Sequence, residues 1–273
     1  MEFLVYVLLL LLTGCGVGFA SGLLGVGGGF LMVPIQYFLL TSLGLDSSIS
    51  LRIAFATSLA VILPTTISGT LGHLKKGAVN KKIAMYMGIS SLIGGLFGAF
   101  ISTQVPASYL KIVFGVLLLA VGTKLFFSKN NNQKENLNDN ILLLLVSGFA
   151  VGTLSGLLGI GGGIAMVPIL SLLIGLNIRD VVGTNSAIMI FSASGGLITY
   201  LFMGLSVSGL PEYSLGYINL LQMLLIAITS IPFSQLGVQV AHRISPDKIK
   251  TIFIILIYYM GLKMIGLFDL LGL

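Results

Sequence analysis

SGLLGVGGGFLMVP, at Ser21 to Pro34, returns as SGLLGIGGGIAMVP at Ser155 to Pro168, identical at 11 of 14 positions. Composition alone does not produce such an echo, and self-similarity on this scale marks a chain built from repeated units. The correspondence runs outward from the motif. Thr57-Ser58-Leu59-Ala60 aligns with Thr184-Asn185-Ser186-Ala187, Ser68-Gly69 with Gly195-Gly196, and Gly122-Thr123-Lys124 with Gly261-Leu262-Lys263. The chain therefore divides into a first membrane repeat, 1–127, and a second, 141–273. Between them SKNNNQKENLNDN, 128–140, is polar and Asn-rich and reads as an exposed cytoplasmic linker.

Both repeats are too apolar for water. Of 273 residues 56% are hydrophobic and 8% charged, whereas a soluble domain is about a quarter charged because its surface must be solvated. Apolar runs such as Ile83 to Ile101 and Ile141 to Leu158 have the length of about 20 residues that a hydrocarbon core of roughly 30 Å demands of a helix. The expected fold is an all-α polytopic membrane protein of about eight to ten transmembrane segments. Each half opens with a glycine-interrupted region (3–43 and 141–178), followed by three plainer spans (51–72, 83–105 and 107–127; 181–203, 217–241 and 249–268).

The net charge of +6 does not indicate nucleic acid, because the basic residues sit mostly in short loops between spans, with no basic face interleaved with aromatics. A single cysteine, Cys15, excludes an internal disulfide and a cysteine metal cluster. Leu12-Thr13-Gly14-Cys15 has the look of a lipoprotein cleavage site. The segment before it carries Glu2 and no Lys or Arg, however, and the apolar stretch runs on past Cys15, so Cys15 is expected inside a first helix.

Lysine and arginine positions set the expected topology, because cytoplasmic loops accumulate them. If each interrupted region crosses once, the better orientation places 8 of 14 basic residues inside and 6 outside. If each returns to the side it entered from, 11 lie inside and only Arg52, Lys111 and Lys263 outside. The second arrangement gives each half an odd number of crossings and so inverts one repeat relative to the other, a recurrent plan of secondary transporters. Parity leaves open whether the interrupted region is two full helices or a re-entrant hairpin.

The chemistry is expected at the interruptions. Gly25, Gly27, Gly28 and Gly29, and their counterparts Gly159, Gly161, Gly162 and Gly163, concentrate the residue that tolerates unusual backbone angles and close approach. Pro34 and Pro168, five residues beyond, suit the first turn of a restarting helix. Irregular backbone at membrane depth is tolerated only inside protein or along a wet cavity. A helix N-terminus there carries about half a positive charge and several unpaired donors, enough to hold an anion without Lys or Arg. Thr57, Ser58, Thr184, Asn185 and Ser186 could add neutral donors, making these fifteen residues the candidate substrate-binding set.

Other readings compete with this one. Glycines also let helices pack closely, and Ser, Thr and Asn often bond their own helix or a neighbour. Arg52 and Arg179 occupy aligned positions and read as interfacial, with a gate or anion-steering role as the functional alternative; His73 and His242 sit at span ends. A dinucleotide fingerprint needs a strand–helix context that membrane spans do not supply. An enzyme would need acids, histidines or a nucleophile pair within the bilayer, yet all eight Asp and Glu lie in loops, termini or span ends. No catalytic residue, metal ligand or cofactor is expected.

The paired motifs GLLGVGGGFLMVP and GLLGIGGGIAMVP, each followed by ATSLA or GTNSA, resemble the TauE/SafE-type sulfite exporter family, also called TSUP. The resemblance covers nearly the whole chain. It implies a multi-pass secondary transporter of the plasma membrane, moving sulfite, thiosulfate or a small organosulfonate; substrate and direction vary among members. Its motif positions fall on the glycines and prolines named above, with Thr57-Ser58 and Thr184-Asn185 as polar partners. The halves differ there, Phe55-Ala56 facing Val182-Gly183, so the half-sites are expected to be unequal. Partners would be the anion and the lipid bilayer, not nucleic acid. An anion channel and a non-transporting scaffold or sensor subunit stand as alternatives.

Single cysteines placed in 130–140 and in the Lys75–Lys82 loop are expected to react with an impermeant maleimide only after cells are permeabilised, and one in 204–213 to react in intact cells. The reverse pattern would contradict the inverted reading.

Overall fold

The structure, a computed structural model, describes residues 3–127, 137–240 and 246–267. Ten α-helices follow in chain order: α1 (Phe3–Leu24), α2 (Gly29–Ser42), α3 (Ser47–Lys75), α4 (Lys81–Gln104), α5 (Ala107–Phe127), α6 (Ile141–Leu158), α7 (Gly163–Pro168), α8 (Ile178–Gly204), α9 (Leu220–Val240) and α10 (Pro246–Ile265). α7 continues as a π-helical segment, Ile169–Ile174, and a two-residue hairpin, β1 (Ser214–Leu215) against β2 (Ile218–Asn219), precedes α9. Seven of the helices are long and apolar enough to cross a membrane, while α2 and Gly163–Ile174 are shorter apolar helices. The chain is an all-α polytopic membrane protein.

Polar residues at the loops start the helices. Asp46 accepts from the N–H of Ser48 and Ile49 at 2.8 and 3.1 Å, Asn80 from Ile83 at 3.1 Å, Asn140 from Leu142 at 2.9 Å and Asn177 from Asp180 at 3.1 Å. Each satisfies an N–H that the first turn leaves without an intrahelical partner. Of the linker, 128–136 lie outside the described residues. At its end Asn138 donates its N–H to Ile174 at 2.9 Å and Asp139 pairs with Lys82, whose ammonium holds the carboxyl below the usual carboxylate range.

Burial runs opposite to that of a soluble helix. α4 turns Met85, Ile89, Ile93, Phe97 and Phe100 outward and buries Gly88, Ser91, Gly94, Gly95, Gly98 and Ser102. Lipid is as apolar as leucine, so association relies on close backbone approach and polar contacts. The glycines supply the approach. Gly148, Gly152 and Gly156 of α6 lie against Met87, Ser91 and Gly95 of α4, and the aligned Gly14, Gly18 and Gly22 of α1 lie against Ile226, Ser230 and Ser234 of α9.

These contacts fix helix directions. α1 and α9 run parallel, as do α6 and α4, because the contacting numbers rise together. α3 is parallel to α9, with Thr65 bonded to Ser230, Gln235 to Ser68 and Lys76 to the Val238 carbonyl. α3 and α8, which carry the aligned Thr57 and Thr184, run antiparallel, with Phe55 by Tyr200, Leu59 by Gly196 and His73 by Gly183. α5 and α10 are also antiparallel, Gly115 against Ile265 and Gly122 against Tyr258. Since α1 and α3 point the same way, the chain between them returns through α2 to the end at which α1 began.

One sequence expectation needs correction. α2 starts at Gly29, the last glycine of the run, so Pro34 lies inside the helix rather than in its first turn. Pro168 likewise closes α7, and the helix continues in the wider π form immediately after it. Proline cannot donate to the preceding turn, and the two halves accommodate the lost bond differently.

A Cβ on Gly18 would collide with the Ser230 carbonyl, whereas one on the exposed Gly16 meets nothing within 4 Å. Gly18→Leu is therefore expected to lower the thermal midpoint in detergent by an amount equivalent to about 1–3 kcal/mol or to prevent folding. Gly16→Leu should leave the midpoint within a degree or two of wild type.

Candidate functional site

The two glycine runs meet. A Cβ on Gly29 would lie 2.7 Å from the Ile160 Cα, and one on Gly163 would lie 2.5 Å from the Val26 carbonyl carbon. Only glycine lets these backbones approach so closely. Gly25, Gly27 and Gly28 adopt φ of 64°, 74° and 70°, and Gly159, Gly161 and Gly162 adopt 65°, 72° and 78°. Six left-handed residues in register turn α1 into α2 and α6 into α7. All of 25–30 and 159–164 are buried.

Their depth follows from their neighbours. Gly27 and Gly161 both pack on Ile62 and Met189, each within a turn of the middle of its long helix, α3 or α8. The two breaks therefore face each other near mid-bundle, with an apolar contact beneath them. Among the described residues no Asp, Glu, Lys or Arg is buried. Electrostatics in this region come from backbone dipoles and neutral side chains.

Those side chains hold the loops. Ser58 donates to the Gly159 carbonyl at 2.7 Å, and the aligned Asn185 donates to the Gly25 carbonyl at 2.5 Å and to Gly163 at 3.1 Å. Ser192 donates to the Gly161 carbonyl at 2.9 Å. Ser58 thus ties down the other half's break, Asn185 both breaks at once, and Ser192 the break of its own half. Thr57 and Thr184 serve elsewhere: their hydroxyl oxygens accept the N–H of Asn219 and of Asn80, each at 2.9 Å, where α9 and α4 begin. Ser186 donates to the Val182 carbonyl of its own helix at 2.9 Å. Pro34 is buried and Pro168 half-buried, both beyond the loops.

Carbonyls are thus well served, and loop N–H groups are not. Among the described residues, no hydrogen bond is donated by the N–H of Gly27, Gly28, Gly161 or Gly162. Asn185 Oδ1 and Ser155 Oγ are likewise buried without partners. The arrangement can offer donors and helix-terminal partial charge to an anion. No three His, Cys, Asp or Glu side chains gather as a metal site would need, among the described residues.

Sequence reasoning missed Asn80 and Asn219, Ile62 and Met189, and Ser192. The two asparagines were detectable, since each immediately precedes an aligned helix. Ile62 and Met189 were not, being apolar residues in apolar spans.

Helix breaks that face each other at the middle of a polytopic bundle are the build of a membrane transporter. The chain belongs to the sulfite exporter TauE/SafE family, whose model matches residues 10–264. It is similar to the probable membrane transporter protein MJ0441 of Methanocaldococcus jannaschii, at 31% identity over 97% of both chains. A probable membrane transporter protein of Haemophilus influenzae is 30% identical over 95% of this chain and 98% of its own. No solved structure matches.

Ser58→Ala removes one buried donor and Asn185→Ala removes two. The expected losses of stability are about 1 and about 2 kcal/mol, read as thermal midpoints in detergent. Equal losses would show that Asn185 does not bridge the two loops.

Proposed function

We propose that the chain is a secondary transporter, not an enzyme, that carries a small sulfur-containing anion across the plasma membrane by alternating access. Sulfite, thiosulfate and small organosulfonates are the substrate class that its family implies. The observation that carries the proposal is the meeting of the two breaks, with the N–H groups of Gly27, Gly28, Gly161 and Gly162 lacking acceptors among the described residues. An oxyanion needs several donors and no buried counter-charge, and two helix starts of about half a charge each supply them. The unanswered N–H groups offer nothing to a cation or an apolar solute.

In this reading Gly25, Gly27, Gly28 and Gly29, with Gly159, Gly161, Gly162 and Gly163, present the backbone. Ser58 and Asn185 set its shape, Thr57, Thr184 and Ser186 fix the helices around it, and Pro34 and Pro168 stiffen the helices that leave it. The two halves act as inverted repeats. The antiparallel runs of α3 with α8 and of α5 with α10 support this relation. So does the charge distribution: Lys75, Lys76, Lys81, Lys82 and Arg179 gather at one end of the bundle, taken as cytoplasmic, and Arg52, Lys111 and Lys263 lie at the other. The glycine loops are buried, so an anion can reach them only if the helices around them part alternately on each side, and the apolar packing of both loops on Ile62 and Met189 is where parting would occur.

Proteoliposomes loaded with sulfite, thiosulfate or methanesulfonate are expected to show saturable uptake of labelled anion, accelerated by unlabelled anion on the far side. Acceleration by exchange marks a carrier and is absent from a channel. Saturable transport of a cation, indifferent to all three anions, would contradict the proposal.

A further inference from the structure

Arg52 sits half-buried near the start of α3, and no carboxylate pairs with it among the described residues. Its Nη2 donates to the carbonyls of Thr103 at 3.1 Å and Val105 at 3.3 Å, at the C-terminus of α4, where a helix dipole favours a cation. Those bonds occupy one nitrogen of a five-donor fork. Nε is buried and unbonded. One residue before Thr103, Ser102 is 0% exposed, and its Oγ also lacks a partner.

Tyr200 of α8, also 0% exposed, completes the group. Its hydroxyl lies beside Ser102 and in the field of Arg52, and donates to the Gly156 carbonyl at 2.9 Å. Its ring packs against Phe55 and Tyr217, with centroids 6.5 and 6.3 Å away. Capping of α4 explains Nη2 alone. Buried donors are seldom left without an acceptor, and here a guanidinium N–H and a neighbouring hydroxyl both are.

We propose that Arg52, Ser102 and Tyr200 form an oxyanion docking site at the end of the bundle opposite the lysine-rich loops, separate from the glycine loops. A guanidinium edge and a hydroxyl suit a sulfonate, sulfite or thiosulfate oxygen pair, and the positive charge draws such an anion to this end. The site leads inward. One turn along α3, Phe55 packs its backbone against Gly159, and one turn further Ser58 holds the Gly159 carbonyl, placing the docked anion about 9 Å along the helix from the loop.

The site is one-sided. Arg179 aligns with Arg52 but is exposed, His73 stands where Tyr200 does, and Ala241, outside the described residues, stands where Ser102 does. Docking is therefore a property of one face of the membrane.

This inference rests on the reading that the chain carries an oxyanion. Its test uses the full chain in orientation-sorted proteoliposomes, with KM for labelled thiosulfate and methanesulfonate measured separately from each face. Arg52→Lys, which keeps the charge and loses the fork, is expected to raise KM roughly tenfold from the Arg52 face alone, with the maximal rate kept. Ser102→Ala removes a hydroxyl that lies beside that of Tyr200, so a merely structural role lowers the thermal midpoint and moves KM alike from both faces, whereas docking gives a severalfold rise in KM from the Arg52 face alone. Unchanged KM in both variants, or equal changes from both faces, overturns the docking site while wild-type transport stands. A wild-type protein that carries neither anion overturns the transport reading and the docking site with it.

Discussion

Backbone that leaves helical form inside a membrane must find its hydrogen bonds within the protein, and the rest of this structure is arranged around that requirement at two places. Six left-handed glycines break α1 from α2 and α6 from α7, exposing carbonyls and N–H groups at mid-bundle. Two carbonyls are answered across the halves, Gly159 by Ser58 and Gly25 by Asn185, and two within the second half, Gly163 by Asn185 and Gly161 by Ser192. The N–H groups of Gly27, Gly28, Gly161 and Gly162 have no such answer among the described residues, and the proposed anion would supply it.

Close packing elsewhere serves the same end. Gly14, Gly18 and Gly22 seat α1 on α9, and Gly148, Gly152 and Gly156 seat α6 on α4, so that the helices leading into each break are held against a helix of the other half. At the start of α9 and α4, Thr57 and Thr184 accept the N–H of Asn219 and Asn80 and fix those helices to α3 and α8. Each long central helix thus anchors a break in the middle and a neighbouring helix near its end. Every one of these ties joins one half to the other, so α1, α3 and α9 form one group of helices and α6, α8 and α4 a second, each drawn from both halves.

Much of this was legible in the chain. The apolar runs gave the spans, and the repeated motif marked the two breaks that meet in the fold. The glycine spacing every fourth residue in α1 and α6 was equally visible, but its meaning depends on which helix lies opposite. Thr57 and Ser58 are adjacent polar residues, and nothing in their sequence says that one accepts from a helix start while the other donates to a loop. Pro34 and Pro168 were placed a turn too early, because proline's preference for a first turn is a tendency that a helix starting at Gly29 or Gly163 overrides. Arg52 and Arg179 read alike and differ only in what surrounds them: α4 carbonyls, Ser102 and Tyr200 for one, an exposed surface for the other.

The central claim is that backbone N–H groups of the paired breaks hold the anion. Protein labelled with ¹⁵N-glycine in lipid nanodiscs, titrated with thiosulfate or sulfite, tests it most directly through the glycine amide resonances. The account requires those of Gly27, Gly28, Gly161 and Gly162 to shift together and saturably, while those of the packing glycines Gly18 and Gly152 stay in place. Loop resonances that do not move, in a preparation that still transports the same anion, would contradict it.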